Sequence, residues 1–139
     1  NRSNNRAFGD NNDVEVFQVG EFNNSVTEAL GDFNVIDVDQ DGDYNNSTVR
    51  AKGDRNRVDV EQDGIGNNST LSTFFGLPLG VDILGDDNTA ELTQYGDYNL
   101  GTIFIEGDWN TAEIFQMGNG HTGDISQIGD YNSATITQN

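Results

Sequence analysis

Side-chain amides recur along this chain at fixed intervals. Asn12, Asn23, Asn34, Asn45, Asn56, Asn67, Asn88, Asn99, Asn110 and Asn132 each stand three residues after a glycine, with His121 in the one remaining place. Gln18, Gln40, Gln62, Gln94, Gln116, Gln127 and Gln138 each stand nine residues after one. A carboxamide both donates and accepts, so identical copies stacked at a strand spacing of about 4.8 Å bond to one another as a ladder. That is the chemistry of cohesion rather than of turnover. The acidic residues fall in repeated rows with no unique convergent pair, the sole histidine replaces an Asn and reads as a polar filler, and there is no cysteine. No catalytic residue, metal ligand or cofactor is therefore expected.

The glycines that set this spacing are Gly9, Gly20, Gly31, Gly42, Gly53 and Gly64, then Gly85, Gly96, Gly107, Gly118 and Gly129. Every step is eleven residues except 64 to 85, which is twenty-one. With each glycine as place zero, place three is Asn, five is small or aliphatic, seven is almost always Val, Leu or Ile, and nine is often Gln. That alternation is the period of a strand with one buried face. Places ten, zero, one and two hold Gly, Asp and aromatic residues suited to a tight turn. A repeat this regular decides the fold class: all-β, a β-solenoid of 11-residue strand-turn units, 22 residues per turn, with two facing parallel in-register sheets and about six turns.

The 22-residue period rests on a difference between alternate units. In one series place five reads Val14, Ile36, Val58, Leu79, Gly101 and Gly123; in the other it reads Ser25, Ser47, Ser69, Ala90, Ala112 and Ala134. Large faces small across a thin core, with the sheets about 10 Å apart. The short step is accommodated if Phe74-Phe75-Gly76 is a shortened turn, with Leu77, Leu79, Val81 and Ile83 in places three to nine of the next strand; a register defect or a local loop over 74–84 is the competing reading. On this count one sheet stacks Asn12, Asn34, Asn56 and Asn99, and the other Asn23, Asn45, Asn67, Asn88, Asn110 and Asn132.

Composition narrows the function classes. Twenty-four acidic residues against six basic give a net charge of −18, and the hydrophobic fraction is 33%. The acidity argues against nucleic acid as a partner, since phosphates need Lys and Arg. Apolar runs are too short for a membrane-spanning helix, so no membrane insertion is expected. Over six turns, about 29 Å, the charge density is roughly one per 1.6 Å, close to the ~1.7 Å of duplex DNA. Acid or divalent cations are expected to speed any stacking of copies. A specific Ca²⁺ site is not expected, because the Ca²⁺-binding rolls have a nine-residue repeat. The Asp rows read as turn formers and solubilising residues.

The pattern in Gln94-Tyr95-Gly96-Asp97-Tyr98-Asn99, and in Gln127-Ile128-Gly129-Asp130-Tyr131-Asn132-Ser133-Ala134-Thr135-Ile136-Thr137-Gln138, resembles the curlin repeat of bacterial curli subunits. The resemblance runs from about Gly9 to Asn139. It implies a secreted functional amyloid that forms extracellular fibres of biofilm matrix at the bacterial cell surface. It also implies two partners besides the chain itself: an outer-membrane secretion channel and a nucleator subunit.

Amide ladders pair only along a stack, so an end turn is a template for another copy. Residues 1–9 are expected to form a loosely held arm, because Asn5 would occupy the apolar seventh place, and 10–139 a single solenoid domain ending uncapped at Asn139. Twelve strands from Asn12 to Gln138 make six whole turns, the even count that head-to-tail stacking needs. The polymerisation ends are then Asn12, Val14, Val16 and Gln18 at one end and Asn132, Ala134, Ile136 and Gln138 at the other. The alternative is a monomeric secreted β-solenoid binding module of adhesin or ice-binding type.

Overall fold

A computed structural model describes the backbone of residues 1–69, 71–73 and 77–139, and the side chains outside 70–79. The strands are β1 (Arg2–Phe8), β2 (Asp13–Val19), β3 (Asn24–Leu30), β4 (Val35–Asp43), β5 (Asn46–Lys52), β6 (Arg57–Ile65), β7 (Asn68–Ser69), β8 (Leu71–Thr73), β9 (Leu77–Leu79), β10 (Val81–Leu84), β11 (Thr89–Tyr95), β12 (Leu100–Glu106), β13 (Thr111–Met117), β14 (Thr122–Ile128) and β15 (Ser133–Gln138). All but β8 and β9 wind into two sheets. The first has the order β1-β3-β5-β10-β12-β14, with β7 also on β5 and β12; the second has β15-β13-β11-β6-β4-β2. Every pairing in both sheets is parallel and in register, with Gln18 beside Gln40 and Ile103 beside Ile125. The fold is a β-solenoid of about six turns with 22 residues per regular turn.

Two positions of positive φ make each corner. Place zero is glycine, at φ from 96° to 136°, and a Cβ on Gly20 would lie 1.9 Å from the carbonyl oxygen of Gly42 on the next turn. Conformation and space both demand glycine there. Place two is left-handed as well, and Phe22, Phe33, Tyr44, Tyr98, Trp109 and Tyr131 adopt φ near 60°. That conformation is costly for bulky side chains. Part of the cost is offset by stacking along the corner: Phe22 on Tyr44 at 5.0 Å, and Trp109 on Tyr131 at 6.3 Å.

The twenty-one-residue step is resolved differently from the shortened-turn reading. β7 and β10 are two halves of one first-sheet strand: Ser69 pairs with Ser47, and Val81 pairs with both Val49 and Ile103. Between them the chain leaves the sheet in a small antiparallel hairpin, β8 against β9, which pairs Leu71 with Leu79. The interval is one eleven-residue unit plus a ten-residue insertion. Phe74-Phe75-Gly76 lies outside the described residues, but Leu77 and Leu79 do not occupy solenoid places three and five. The physical reason is at place three. Asn67 accepts the Asn99 N–H (3.1 Å) and donates to Gly96 O (2.7 Å), bonds a leucine cannot make. The crossing point is tight, since a Cβ on Gly80 would lie 1.2 Å from Ser69 O.

Because one unit replaces two, every unit after Gly85 changes sheets relative to the sequence count. β11 stacks on β6, so Ala90, Ala112 and Ala134 continue the Val14, Ile36, Val58 column, and Gly101 and Gly123 continue Ser25, Ser47, Ser69. Volume complementarity survives the exchange. Gln127 Nε2 donates to Thr111 O across the core, which sets place nine of one sheet opposite places four and five of the other. By that geometry Ala29 and Ala51 face the Val14–Ile36–Val58 side, whereas Ile83 and Ile105 face the alanines. The core is the continuous row of these buried side chains between the sheets.

Residues 1–9 also differ from expectation. β1 is a regular strand, pairing with β3 along all seven of its residues, and Arg2 N–H donates to Asn23 O at 2.8 Å. Asn5 does sit in place seven, but at the open end of the column, where it stays exposed and its Oδ1 accepts Ser3 Oγ (2.8 Å) and Thr27 Oγ1 (3.0 Å). A polar group that keeps its hydration and its partners costs little in the apolar place. Six strands in each sheet result, with β1 added and the interrupted strand counted once.

Candidate assembly interface

The inward amides build two kinds of column. Gln18, Gln40, Gln62, Gln94, Gln116 and Gln138 form one unbroken ladder on the second sheet. Each Nε2 donates to the Oε1 of the next, at 2.7, 2.7, 2.9, 2.8 and 2.8 Å. The other N–H of each amide turns across the core to a first-sheet carbonyl, as Gln40 does to Asn24 O (3.3 Å) and Gln116 to Leu100 O (3.1 Å). These four inner glutamines are fully buried yet satisfied. Gln127 stands apart on the first sheet, beneath Ile105, and its Oε1 has no partner among the described residues.

Asparagine works on the backbone instead. Asn12, Asn34, Asn56, Asn88, Asn110 and Asn132 form one column, and Asn23, Asn45, Asn67 and Asn99 form the other, between Asn1 and His121. This sorting replaces the grouping of Asn99 with Asn12 and of Asn88, Asn110 and Asn132 with Asn23. In each column the backbone N–H of one residue donates to the Oδ1 of the copy before it, as Asn34 to Asn12 (3.0 Å) and Asn132 to Asn110 (2.8 Å). The Nδ2 reaches forward to a glycine carbonyl of the next turn, as Asn12 to Gly31 O (2.6 Å). His121 keeps the N–H bond to Asn99 Oδ1 at 3.0 Å.

A third kind of column is built by aspartate, whose rows the sequence shows as turn formers but not as bonded to one another. Asp10, Asp32, Asp54, Asp86, Asp108 and Asp130 all lie on one corner, and each N–H donates to the carboxylate of the next, from Asp10 to Asp32 at 2.8 Å through Asp108 to Asp130 at 3.0 Å. The Asp row is thus part of the turn's bonding, and Asp86, Asp108 and Asp130 share the edge of Asp10, while Glu21 and Asp43 lie on the other. The signal was available: this corner has Asp in all six places, whereas the other has Glu21, Asp43, Ile65, Asp97 and Asn119.

Serine shows why amides are used. Ser25, Ser47 and Ser69 are buried in register, and their hydroxyls have no partner among the described residues. A strand spacing of about 4.8 Å exceeds the ~3 Å reach of O–H···O, whereas an amide spans it.

Each ladder has a direction, so the two ends of the solenoid are left with complementary groups. At the β15 end, Gln138 has an Nε2 hydrogen, Asp130 an N–H, and Asn132 an Oδ1 without a stacking partner among the described residues. At the β2 end, Gln18 has an Oε1, Asp10 a carboxylate, and Asn12 an N–H. Apolar side chains accompany them: Val14 and Val16 at one end, Ala134 and Ile136 at the other, each half-buried against the core. The residues named in sequence as ends thus lie on the first and last strands of the second sheet or, for Asn12 and Asn132, one residue before them. Sequence reasoning missed that β1 and β14 form the matching edges of the first sheet.

The outer face of the second sheet is acidic. Glu15, Asp37, Asp39, Asp59 and Glu61 flank an open groove beside Phe17. Burial, and then Glu61, Asp37, Asp41 and Asp59, push the Asp39 carboxyl above its ordinary range; burial and Asp37 do the same for Asp59. Tyr95 donates to Glu61 at 2.7 Å, and this bond with burial pushes its phenol up to about 12. Among the described residues no three His, Asp or Glu side chains converge as a metal site. On the first sheet's outer face Arg50 grips Asp82 with two bonds of 2.7 Å.

No curated protein and no solved structure matches this chain. The curlin associated repeat matches residues 31–64, 85–114 and 107–139, spans that together cover well over half of it and leave out the hairpin between them. Repeat, register and amide columns agree with that match, and the chain belongs to the curlin-repeat family, a family of structural rather than enzymatic proteins.

Proposed function

We propose that this chain is a structural subunit of an extracellular functional amyloid fibre, a curli-type material of biofilm matrix. Copies stack head to tail, β1 and β2 of one on β14 and β15 of another. The carrying observation is that the Gln and Asp columns, which donate toward the β15 end, and the Asn column, whose backbone N–H groups donate toward the β2 end, all terminate in complementary groups. Gln138 Nε2 would donate to Gln18 Oε1, Asp130 N–H to the Asp10 carboxylate, and Asn12 N–H to Asn132 Oδ1. Val14 would cover Ala134, and Val16 would cover Ile136, in the register used inside the chain. Flipping one copy pairs like ends, the Gln138 and Asp130 donors at the β15 end or the Gln18 and Asp10 acceptors at the β2 end, so the contact is polar and generates an open filament. Six strands per sheet make whole turns, so neither sheet is skipped at the joint.

Family membership supports secretion to the cell surface through an outer-membrane channel, with a nucleator subunit starting growth. The test is incubation of the purified chain followed by electron microscopy and fibre diffraction. Fibres with a meridional reflection near 4.7–4.8 Å are expected. A chain that stays monomeric at every concentration and pH tested would overturn the reading.

A further inference from the structure

Resting on head-to-tail stacking, we propose that the joint between copies is unequal: its first-sheet half is a polar seam, set by Asn5, that limits how tightly one copy of this chain holds the next. The inward seventh-place columns of the two sheets carry the argument. On the second sheet the column is apolar throughout: Val16, Val38, Val60, Leu92, Ile114, Ile136. On the first sheet it runs Asn5, Thr27, Val49, Val81, Ile103, Ile125, from polar at one end to large and apolar at the other. Ile125 is already 4% exposed, whereas Asn5 is open to solvent.

Stacking in the 22-residue register lays Asn5 on Ile125 and Ser3 on Gly123, and closes water away from both. The Asn5 Oδ1 is served by Ser3 and Thr27, but its Nδ2 has no acceptor among the described residues, and Ile125 offers none. Each joint therefore buries an unpaired N–H donor where every internal turn from Val49 onward buries hydrocarbon. On the second sheet the same joint is unblemished, with Val16 on Ile136 and Gln18 on Gln138. The seam recurs at every joint between copies of this chain.

The experiment compares the critical concentration for fibre formation of the wild-type chain with that of Asn5→Val, Asn4→Val and Val16→Asn. Asn4 lies on the same strand but faces outward beside Val26, so its variant reports any general effect of an added valine. Asn5→Val is expected to lower the critical concentration about tenfold or more, the scale of one relieved buried donor. Asn4→Val should leave it within about twofold of wild type, and Val16→Asn, which extends the seam to the second sheet, should raise it. Fibres from Asn5→Val at an unchanged or higher critical concentration, or an equal fall with Asn4→Val, would overturn the seam while leaving head-to-tail stacking intact. Absence of fibres from the wild-type chain would remove the stacking and the seam together.

Discussion

An amide and a hydroxyl buried in the same thin core have opposite consequences here. Gln62 donates to Gln94 (2.9 Å) and Asn46 O (3.3 Å) and accepts from Gln40 (2.7 Å), so its removal orphans two neighbours and opens a cavity. Gln62→Ala is expected to destabilise the chain by about 2–4 kcal/mol in urea unfolding under conditions that delay assembly. Ser47, whose hydroxyl has no partner among the described residues, should tolerate alanine with no loss or a slight gain in the same measurement. The residue scale also holds a spectroscopic signature. The Tyr95 phenol is expected to titrate near 12 by ultraviolet absorbance, and Glu61→Ala should bring it back toward 10. Sequence identified the amides because a buried carboxamide at fixed spacing is costly unless stacked. It could not distinguish the glutamine ladder from the asparagine clamps, because that depends on how far each side chain reaches.

The repeat unit was legible from alternation and glycine spacing, but the irregular unit was not. Twenty-one residues fit two units less one as well as one unit plus ten, and arithmetic alone cannot choose. The deciding physics is local: Asn67 and Ser69 fill places three and five, and Gly80 alone can pass beneath Ser69 O. A clue did exist, since only the insertion reading aligns six glutamines in one column. Deleting residues 70–79 should join Ser69 to Gly80 and restore an eleven-residue unit. The shortened chain is expected to keep its β-sheet circular dichroism and its cooperative unfolding; collapse of the fold would show that 77–83 is itself a needed strand. Gly80→Ala, by contrast, forces a Cβ into backbone and should cost several kcal/mol in urea unfolding. The N-terminal strand was misjudged for a different reason. Asn5 looked wrong for an apolar place, but at an open end that place is still wet.

At the scale of the whole molecule, charge opposes what the ladders favour. The net −18 is spread along a narrow solenoid whose second-sheet face crowds Asp37, Asp39, Asp59 and Glu61. Because the folded chain raises the Asp39 and Asp59 pKa values, the native state holds more protons than the unfolded one between the ordinary carboxyl value and the raised ones. Their contribution to stability is therefore full below the ordinary carboxyl value and lost as pH rises through the raised ones. Unfolding midpoints should climb on acidification from neutrality toward pH ~4, and Asp39→Asn with Asp59→Asn should flatten that slope. The same relief should speed stacking of copies.

Stacking in register is the central claim, and the absence of native cysteine allows a clean measurement of it. Thr135 of one copy should lie beside Glu15 of the next, as Glu113 lies beside Thr135 and Glu15 beside Asp37 within the chain. Neighbouring strands bring Cα atoms within the ~4.4–6.8 Å that a disulfide spans. A Glu15→Cys, Thr135→Cys chain, assembled reduced and then oxidised, should run as a ladder of covalent oligomers on a non-reducing gel. Val19→Cys with Thr135→Cys, four residues out of register, should stay monomeric. Equal crosslinking of both pairs, or none of the first pair in well-formed fibres, would contradict head-to-tail stacking.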